Sequence, residues 1–221
     1  MLVSYKWLQT YFEKPLPQVD EIVDLLTMGV FEIEGVEKKG DDTILDVKVL
    51  PDRAAYGYSH RYIAQEIAAL INQPIILPHI DQFEEKQTSK NIDVSIIVHP
   101  NDEASLCNRY IGRLIEHVKV ESSPDWLKNT LEALDQKSIN TIVDLTNYVM
   151  LTLGEPTHVF DSEKIKGDKI LIRKAKDKEK LKLLDGKELS LNSNNLVIAN
   201  SDEPMALAGV MGGLDSSVTE A

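Results

Sequence analysis

Thr146, Asn147 and His158 are the side chains whose types and spacing point most directly to chemistry. They fall in DLTNYVMLTLGEPTHVFD, residues 144–161. A neighbouring hydroxyl and amide can orient a water or stabilise an oxyanion, and an imidazole can take up a proton near neutral pH. From Ile142 to Leu153 the stretch has helical length and is apolar almost all round, so it reads as a buried helix. On that helix Thr146 lies beside Ile142, Val149 and Met150, and Asn147 beside Val143, Met150 and Leu151. Each interrupts an apolar face, where an unpartnered polar group costs about 1–3 kcal/mol. Gly154, Glu155 and Pro156 then turn the chain and swing His158 back toward the helix end. Two readings compete. In the structural one, Thr146 bonds a carbonyl of its own helix, Asn147 holds a loop and His158 is a satisfied core histidine. In the functional one, a ligand meets all three.

A second stretch, ALAGVMGG from Ala206, carries Gly209, Gly212 and Gly213, which allow backbone to approach a ligand or simply make tight strand turns. Other signatures are missing. No serine sits in a G-x-S-x-G elbow, and no HExxH, CxxC, P-loop or GxGxxG occurs. The five histidines (60, 79, 99, 117 and 158) are scattered without helical metal spacing, so no metal site is expected.

These residues need elements to hold them. WLQTYF reads as a helical turn. Residues 18–28 carry Val19, Ile22, Leu25 and Leu26 on one face, with Gly29 as the expected cap. FEIEGVEKK and TILDVKVL alternate as strands on either side of KGDD. Ser59 is an N-cap for a helix with a stripe of Ile63, Ile67 and Leu70. DVSIIV and CNRYIGRLIEHVKV read as strands, Ser123-Pro124 opens a helix, and the 142–153 helix follows. KILIRKA, KLKLLD, KELSL and NLVIAN are short strands, two of them joined by the hairpin signal Asp185-Gly186. Helices and strands mix without a βαβ repeat, which predicts an α+β fold: a small mixed domain over 1–75, a linker over 76–90 and a larger domain of short antiparallel strands over 91–221.

The chain has 221 residues, 43% hydrophobic, enough for a proper core. The lone cysteine, Cys107, excludes an internal disulfide and fits a cytoplasmic setting. No apolar run approaches a membrane span and the start carries no leader pattern. A net charge of −12 argues against a strong grip on nucleic acid by the chain alone, so neither DNA nor a membrane is an expected partner. One local exception runs from Arg173 to Lys187, where seven basic residues stand against three acidic ones. It is either a lysine-protected hairpin or a patch facing a polyanion.

Taken in order, the segments VSYKWLQTYF, LLTMGVFEIEGVE, DVKVLPDR, SHRYIAQEIAAL, CNRYIGRLIE, PDWLKNTLEAL, INTIVDLTNYVMLTLGEPTHVFD, LLDGKELSL and LVIANSDEPMALAGVMGG resemble the N-terminal part of the bacterial phenylalanyl-tRNA synthetase beta subunit family. The resemblance implies a scaffold domain over 1–75 and part of a B3/B4 editing domain over 91–221. It implies a ligase that charges tRNA(Phe) with phenylalanine, an α2β2 heterotetramer whose alpha subunit performs aminoacylation with ATP and Mg2+. No cofactor is implied for this chain. The editing domain would hydrolyse tyrosine wrongly esterified to tRNA(Phe). Thr146, Asn147 and His158 would then act at the ester, with Pro156, Ala208, Met211 and Gly212 shaping the substrate wall. Two departures stand out. The OB-fold insert common in the first domain has no room between FEIEGVEKK and TILDVKVL. The glutamate that would recognise the tyrosine hydroxyl falls past the last residue, so the chain is expected to be a fragment holding part of the pocket. A non-catalytic assembly module is the alternative implied, and a freestanding tRNA deacylase a third.

Overall fold

Alternation in FEIEGVEKK and TILDVKVL builds the first sheet. The structure, a computed structural model, describes residues 1–77, 90–97 and 106–218. β1 (Leu2–Ser4), α1 (Tyr5–Gln9), α2 (Val19–Gly29), β2 (Glu32–Lys39) and β3 (Asp42–Lys48) are followed by α3 (Ala54–Gly57) and α4 (His60–Ile71). The strands form an antiparallel sheet in the order β1-β3-β2. Lys39 pairs with Asp42 across a turn in which Gly40 has φ +64°, so the two strands join directly where an inserted domain was not expected. Ser59 caps α4 as its sequence predicts, accepting from the Tyr62 amide at 3.2 Å. Gly29 does not cap α2: the cap is Val30, and a Cβ on Gly29 would lie 2.8 Å from Leu70 Cδ2. The glycine serves close packing of α2 on α4.

Later in the chain come β4 (Asp93–Ile96), α5 (Asp125–Ala133) and α6 (Thr141–Leu153), then β5 (Lys169–Lys174), β6 (Lys180–Lys182), β7 (Glu188–Ser190), β8 (Leu196–Ala199), β9 (Pro204–Leu207) and β10 (Met211–Gly212). Together with the first elements they make the mixed α+β fold expected. Five strands form one sheet, β10-β9-β8-β5-β4, and β6 and β7 make the predicted hairpin over Gly186, φ +84°. All pairings in this half are antiparallel except β4 on β5, which is parallel. The strand expected over CNRYIGRLIEHVKV is absent. A Cβ on Gly112 would meet Val94 Cγ2 at 3.3 Å and Ile170 Cδ1 at 3.8 Å, so the segment lies over side chains of β4 and β5. Backbone on a sheet's face has no neighbouring strand to pair with.

Two compact units result, and they cut across the expected division at 76–90. One takes described residues 1–77 and 121–157, the other 90–97, 106–120 and 158–218. The physical reason lies in α5 and α6. Leu134 is part of the N-terminal core with Val3, Leu8, Ile22, Leu45 and Ile63, and Ala133, Tyr148 and Leu151 pack against it. Of the expected linker, Ile76, Leu77 and Lys90 are described, and the Ile76 amide donates to the Tyr11 carbonyl at 2.7 Å. The remainder lies outside the described residues.

Candidate functional site

Helix α6 carries two of the expected site residues, and its ends are fixed by its own sequence. Asn140 caps it by accepting from the amides of Ile142 and Val143 at 3.1 and 3.0 Å. Gly154 ends it in the left-handed conformation, φ +80°, with its amide donating to the Met150 carbonyl at 2.7 Å. The helix is not buried as its apolar composition suggests, since Asp144 is its one fully buried residue. Asp144 accepts from Ser123 Oγ and Ser138 Oγ at 2.5 Å and from the Ile139 amide at 2.9 Å. Burial alone raises its pKa, but the three hydrogen bonds outweigh it and hold the carboxyl below its ordinary range.

The same helix is clamped at its far end. Trp7 stacks on Tyr148 at 4.5 Å between ring centroids and on His60 at 4.0 Å, and Trp126 meets Tyr148 edge-on at 5.5 Å. His60 is fully buried. Its Nδ1 donates to the Leu151 carbonyl at 2.9 Å and its Nε2 accepts from the Ser4 amide at 3.1 Å. A carbonyl can only accept and an amide can only donate, so these partners fix the neutral Nδ1-H tautomer. Burial pushes the pKa of His60 down to about 4, against smaller raising effects from the Leu151 carbonyl and Asp42.

Thr146 and Asn147 lie on the partly exposed side of α6. Thr146 Oγ1 donates to the Val143 carbonyl at 2.7 Å, the back-bonding expected of the structural reading, and keeps its lone pairs available as acceptors. The Asn147 amide forms no hydrogen bond among the described residues. Pro156 is exposed in the turn after Gly154.

The other unit holds His158, Ala208, Met211 and Gly212. A Cβ on Gly212 would lie 2.3 Å from His158 Cε1 and 2.7 Å from Nε2, so the imidazole rests directly on the β10 backbone. Phe160 meets the ring edge-on at 4.6 Å. His158 is exposed, and neither ring nitrogen is hydrogen-bonded among the described residues. Partial burial of the ring lowers its pKa, keeping it neutral at working pH. The three glycines of ALAGVMGG divide the labour. Gly209 turns the chain at φ +72°, and Gly212 admits His158. Gly213 lets its amide reach the Met205 carbonyl at 2.7 Å, where a Cβ would stand 2.5 Å from that oxygen. Ala208 begins the turn, its amide donating to the Leu196 carbonyl at 3.0 Å. Met211 opens β10 and packs against the cluster of Leu181, Leu183 and Val197.

Sequence reasoning singled out neither Asp144 nor His60. His60 sits on the stripe formed with Ile63, Ala64 and Ile67, and that spacing was the available signal. Asp144 carried no such signal, because its partners come from residues 123, 138 and 139. Among the described residues no three His, Cys, Asp or Glu side chains gather as a metal would require, and no helix is long and apolar enough to cross a membrane.

Residues 106–221 match the family model described as the B3/4 domain, and the chain belongs to that family. The expected resemblance to phenylalanyl-tRNA synthetase beta subunits holds over the whole chain. It is 40% identical over all 221 residues to the phenylalanine–tRNA ligase beta subunit of Rhodopirellula baltica, covering 32% of that protein. The beta subunit of Dehalococcoides mccartyi is 42% identical over 94% of the chain, and that of Clostridium acetobutylicum 43% identical over 81%; the matches cover 25% and 22% of those proteins. The chain thus spans a third or less of the curated relatives it matches. A crystallised N-terminal fragment of the Pyrococcus horikoshii phenylalanyl-tRNA synthetase beta subunit aligns over 100% of the chain and 64% of its own, with a TM-score of 0.49 and 16% identity.

Proposed function

We propose that this chain serves a phenylalanine–tRNA ligase as beta-subunit sequence that removes tyrosine wrongly esterified to tRNA(Phe). In this reading it assembles with the alpha subunit in an α2β2 enzyme, and the ATP- and Mg2+-dependent charging step belongs to that partner. Tyrosine exceeds phenylalanine by one hydroxyl, and an apolar charging site rejects such an addition only about a hundredfold. Hydrolysis at a second site supplies the remaining discrimination.

One observation carries the reading: the Asn147 amide and both His158 nitrogens have no hydrogen-bond partner among the described residues. Polar atoms that the fold leaves to solvent are available to a bound ester, whereas atoms tied up inside the protein are not. The chemistry follows from what each can still do. The Asn147 amide donates to the oxyanion that forms when water attacks the ester carbonyl. Thr146, whose proton is already given to Val143, acts as an acceptor that orients the water or a ribose hydroxyl. His158, neutral through its lowered pKa, accepts from the attacking water or from the terminal adenosine. Gly212, Met211, Ala208 and Pro156 contribute wall rather than chemistry.

The test replaces Thr146 and Asn147 with alanine in the enzyme assembled with its alpha subunit. Release of tyrosine from Tyr-tRNA(Phe) should fall about 10²–10³-fold, the usual loss on removing an oxyanion donor, with phenylalanine charging unchanged. Undiminished release would leave the chain an assembly module.

A further inference from the structure

The basic stretch noted in the sequence has a function still unassigned, and the structure divides it. Arg173 is taken up internally: its guanidinium makes a two-pronged bond to Glu179, at 2.9 and 2.6 Å, with both side chains largely buried. Lys187 pairs with Asp185 within the hairpin turn. Lys180 and Lys182 are different. The two-residue period of β6 sets both on one exposed face, with Leu181 buried between them. That strand borders a depression of about 60 Å³, whose lining includes Lys164, Lys180, Lys182, Asn200, Glu203 and Asp215.

Asn200 is the telling residue there. It is 2% exposed. Its Oδ1 accepts from the Asp202 and Glu203 amides, both at 2.9 Å, which fixes which side-chain atom is oxygen. Asn200 lines the depression, and its Nδ2 is left as a donor without a hydrogen-bond partner among the described residues. An amide donor that the fold leaves open at a depression is available to an acceptor from outside. The charges around it select the occupant. Lys182 forms no ion pair among the described residues. Lys180 pairs loosely with Glu188 at 3.2 Å, both side chains well exposed. Lys164 donates to the Ser217 carbonyl at 2.7 Å. Of the two carboxylates on the rim, Glu203 pairs with Lys166 at 2.7 Å, and Lys164 has Asp161 at 3.8 Å, which leaves Asp215 facing Lys182 and the loosely paired Lys180. Donors thus outnumber acceptors, in a chain that is otherwise strongly acidic.

We infer that this depression holds a phosphate group of a bound RNA strand, with Asn200 Nδ2 donating to a phosphate oxygen and Lys182 and Lys180 supplying the opposing charge. The inference rests on the proposed tRNA substrate and adds a place where its backbone is gripped. Phosphate contacts of this kind position the nucleic acid without reading its sequence.

The test titrates the chain with inorganic phosphate and, separately, with a five-nucleotide RNA, following the Asn200 side-chain amide resonances and the salt dependence of RNA binding. Both ligands should shift the Asn200 amide, and RNA should displace phosphate. Asn200→Asp keeps the two bonds to Oδ1 but replaces the donor with a charge of the wrong sign, and should abolish the shifts that both ligands cause at the backbone amides of Asp202 and Glu203. Lys182→Gln should weaken RNA binding about tenfold and lower its log–log salt slope by about 0.7, the loss of one phosphate contact on a single strand. An Asn200 amide unmoved by either ligand overturns the site. A shift with phosphate that RNA does not compete away overturns the RNA assignment and leaves a free-oxyanion site. Hydrolysis is read apart from this. Asn200→Asp should impair release of tyrosine from Tyr-tRNA(Phe) but not from a phosphate-free tyrosyl ester of adenosine. If the unaltered protein hydrolyses neither ester, the editing reading fails while the titration still decides the phosphate site.

Discussion

Both ring nitrogens of His60 are engaged, whereas neither ring nitrogen of His158 is among the described residues. His60 lies fully buried, stacked on Trp7, with one nitrogen donating to Leu151 and the other accepting from Ser4. His158 is exposed on a glycine strand, and its nitrogens have no partner among the described residues. The two faces of α6 repeat the contrast, with Asp144 accepting three hydrogen bonds while the Asn147 amide makes none. In a folded chain, a polar group that is engaged internally contributes to stability. One left unengaged is available to a substrate. Substitutions should therefore separate into two sets, and the contrast breaks if they do not.

The largest expected effect is on stability. Asp144→Ala strands the Ser123, Ser138 and Ile139 donors, at a cost of about 3–5 kcal/mol, read as a lower urea midpoint. Asn147→Ala should leave that midpoint within about 0.5 kcal/mol of the parent, while the proposed hydrolysis should fall. If Asn147→Ala destabilises as much as Asp144→Ala, the distinction is lost.

His60 gives the next effect, through pH. Its folded pKa of about 4 lies below the ordinary 6.5, so the unfolded chain binds the proton more tightly. Its stabilising contribution is complete above pH 6.5 and declines as pH falls toward 4, by up to about 3 kcal/mol. Asp144, whose folded pKa is also lowered, contributes its loss at lower pH, below its ordinary 3.8. Urea melts between pH 7 and 4 should show the decline, and His60→Gln should flatten most of it. An unchanged slope would place the titrating group elsewhere.

Gly212→Ala sharpens the comparison on the other side. The new methyl would occupy the place of the His158 ring, 2.3 Å from Cε1. Hydrolysis should fall about tenfold through displaced geometry alone, while phenylalanine charging persists. The smallest effect is expected at Lys6, whose ion pair with Asp41 is well exposed. Lys6→Gln should leave the urea midpoint unmoved, as surface pairs usually do.

The sequence made much of this legible. Alternation and turn residues announced β2, β3 and the β6–β7 hairpin, and Ser59 announced the start of α4. These signals are local, carried by residues a few positions apart. Asp144 and His60 were opaque because their partners come from far along the chain: His60 meets Leu151 ninety-one positions away. The strand expected over residues 107–120 failed for a related reason. Its pattern fits an extended chain, but a ladder also needs a neighbour, and Gly112 shows that this stretch covers a sheet face instead. The type and order of Thr146, Asn147 and His158 were visible; which of their atoms stay unbonded was not.

The packing of Tyr148 and Leu151 into the N-terminal core has a consequence for anyone who would cut this molecule into pieces. A clone begun at the border of the matched family model, residue 106, would keep α6 but sever it from its bed. Tyr148 would lose its face-to-face neighbour Trp7, and the last turn of the helix would lose the imidazole that caps Leu151. Such an excised piece should show a frayed α6 by rapid amide exchange, and should recover it when residues 1–77 are supplied in trans. The border of the matched family model and the borders of the compact units fall at different places in this chain.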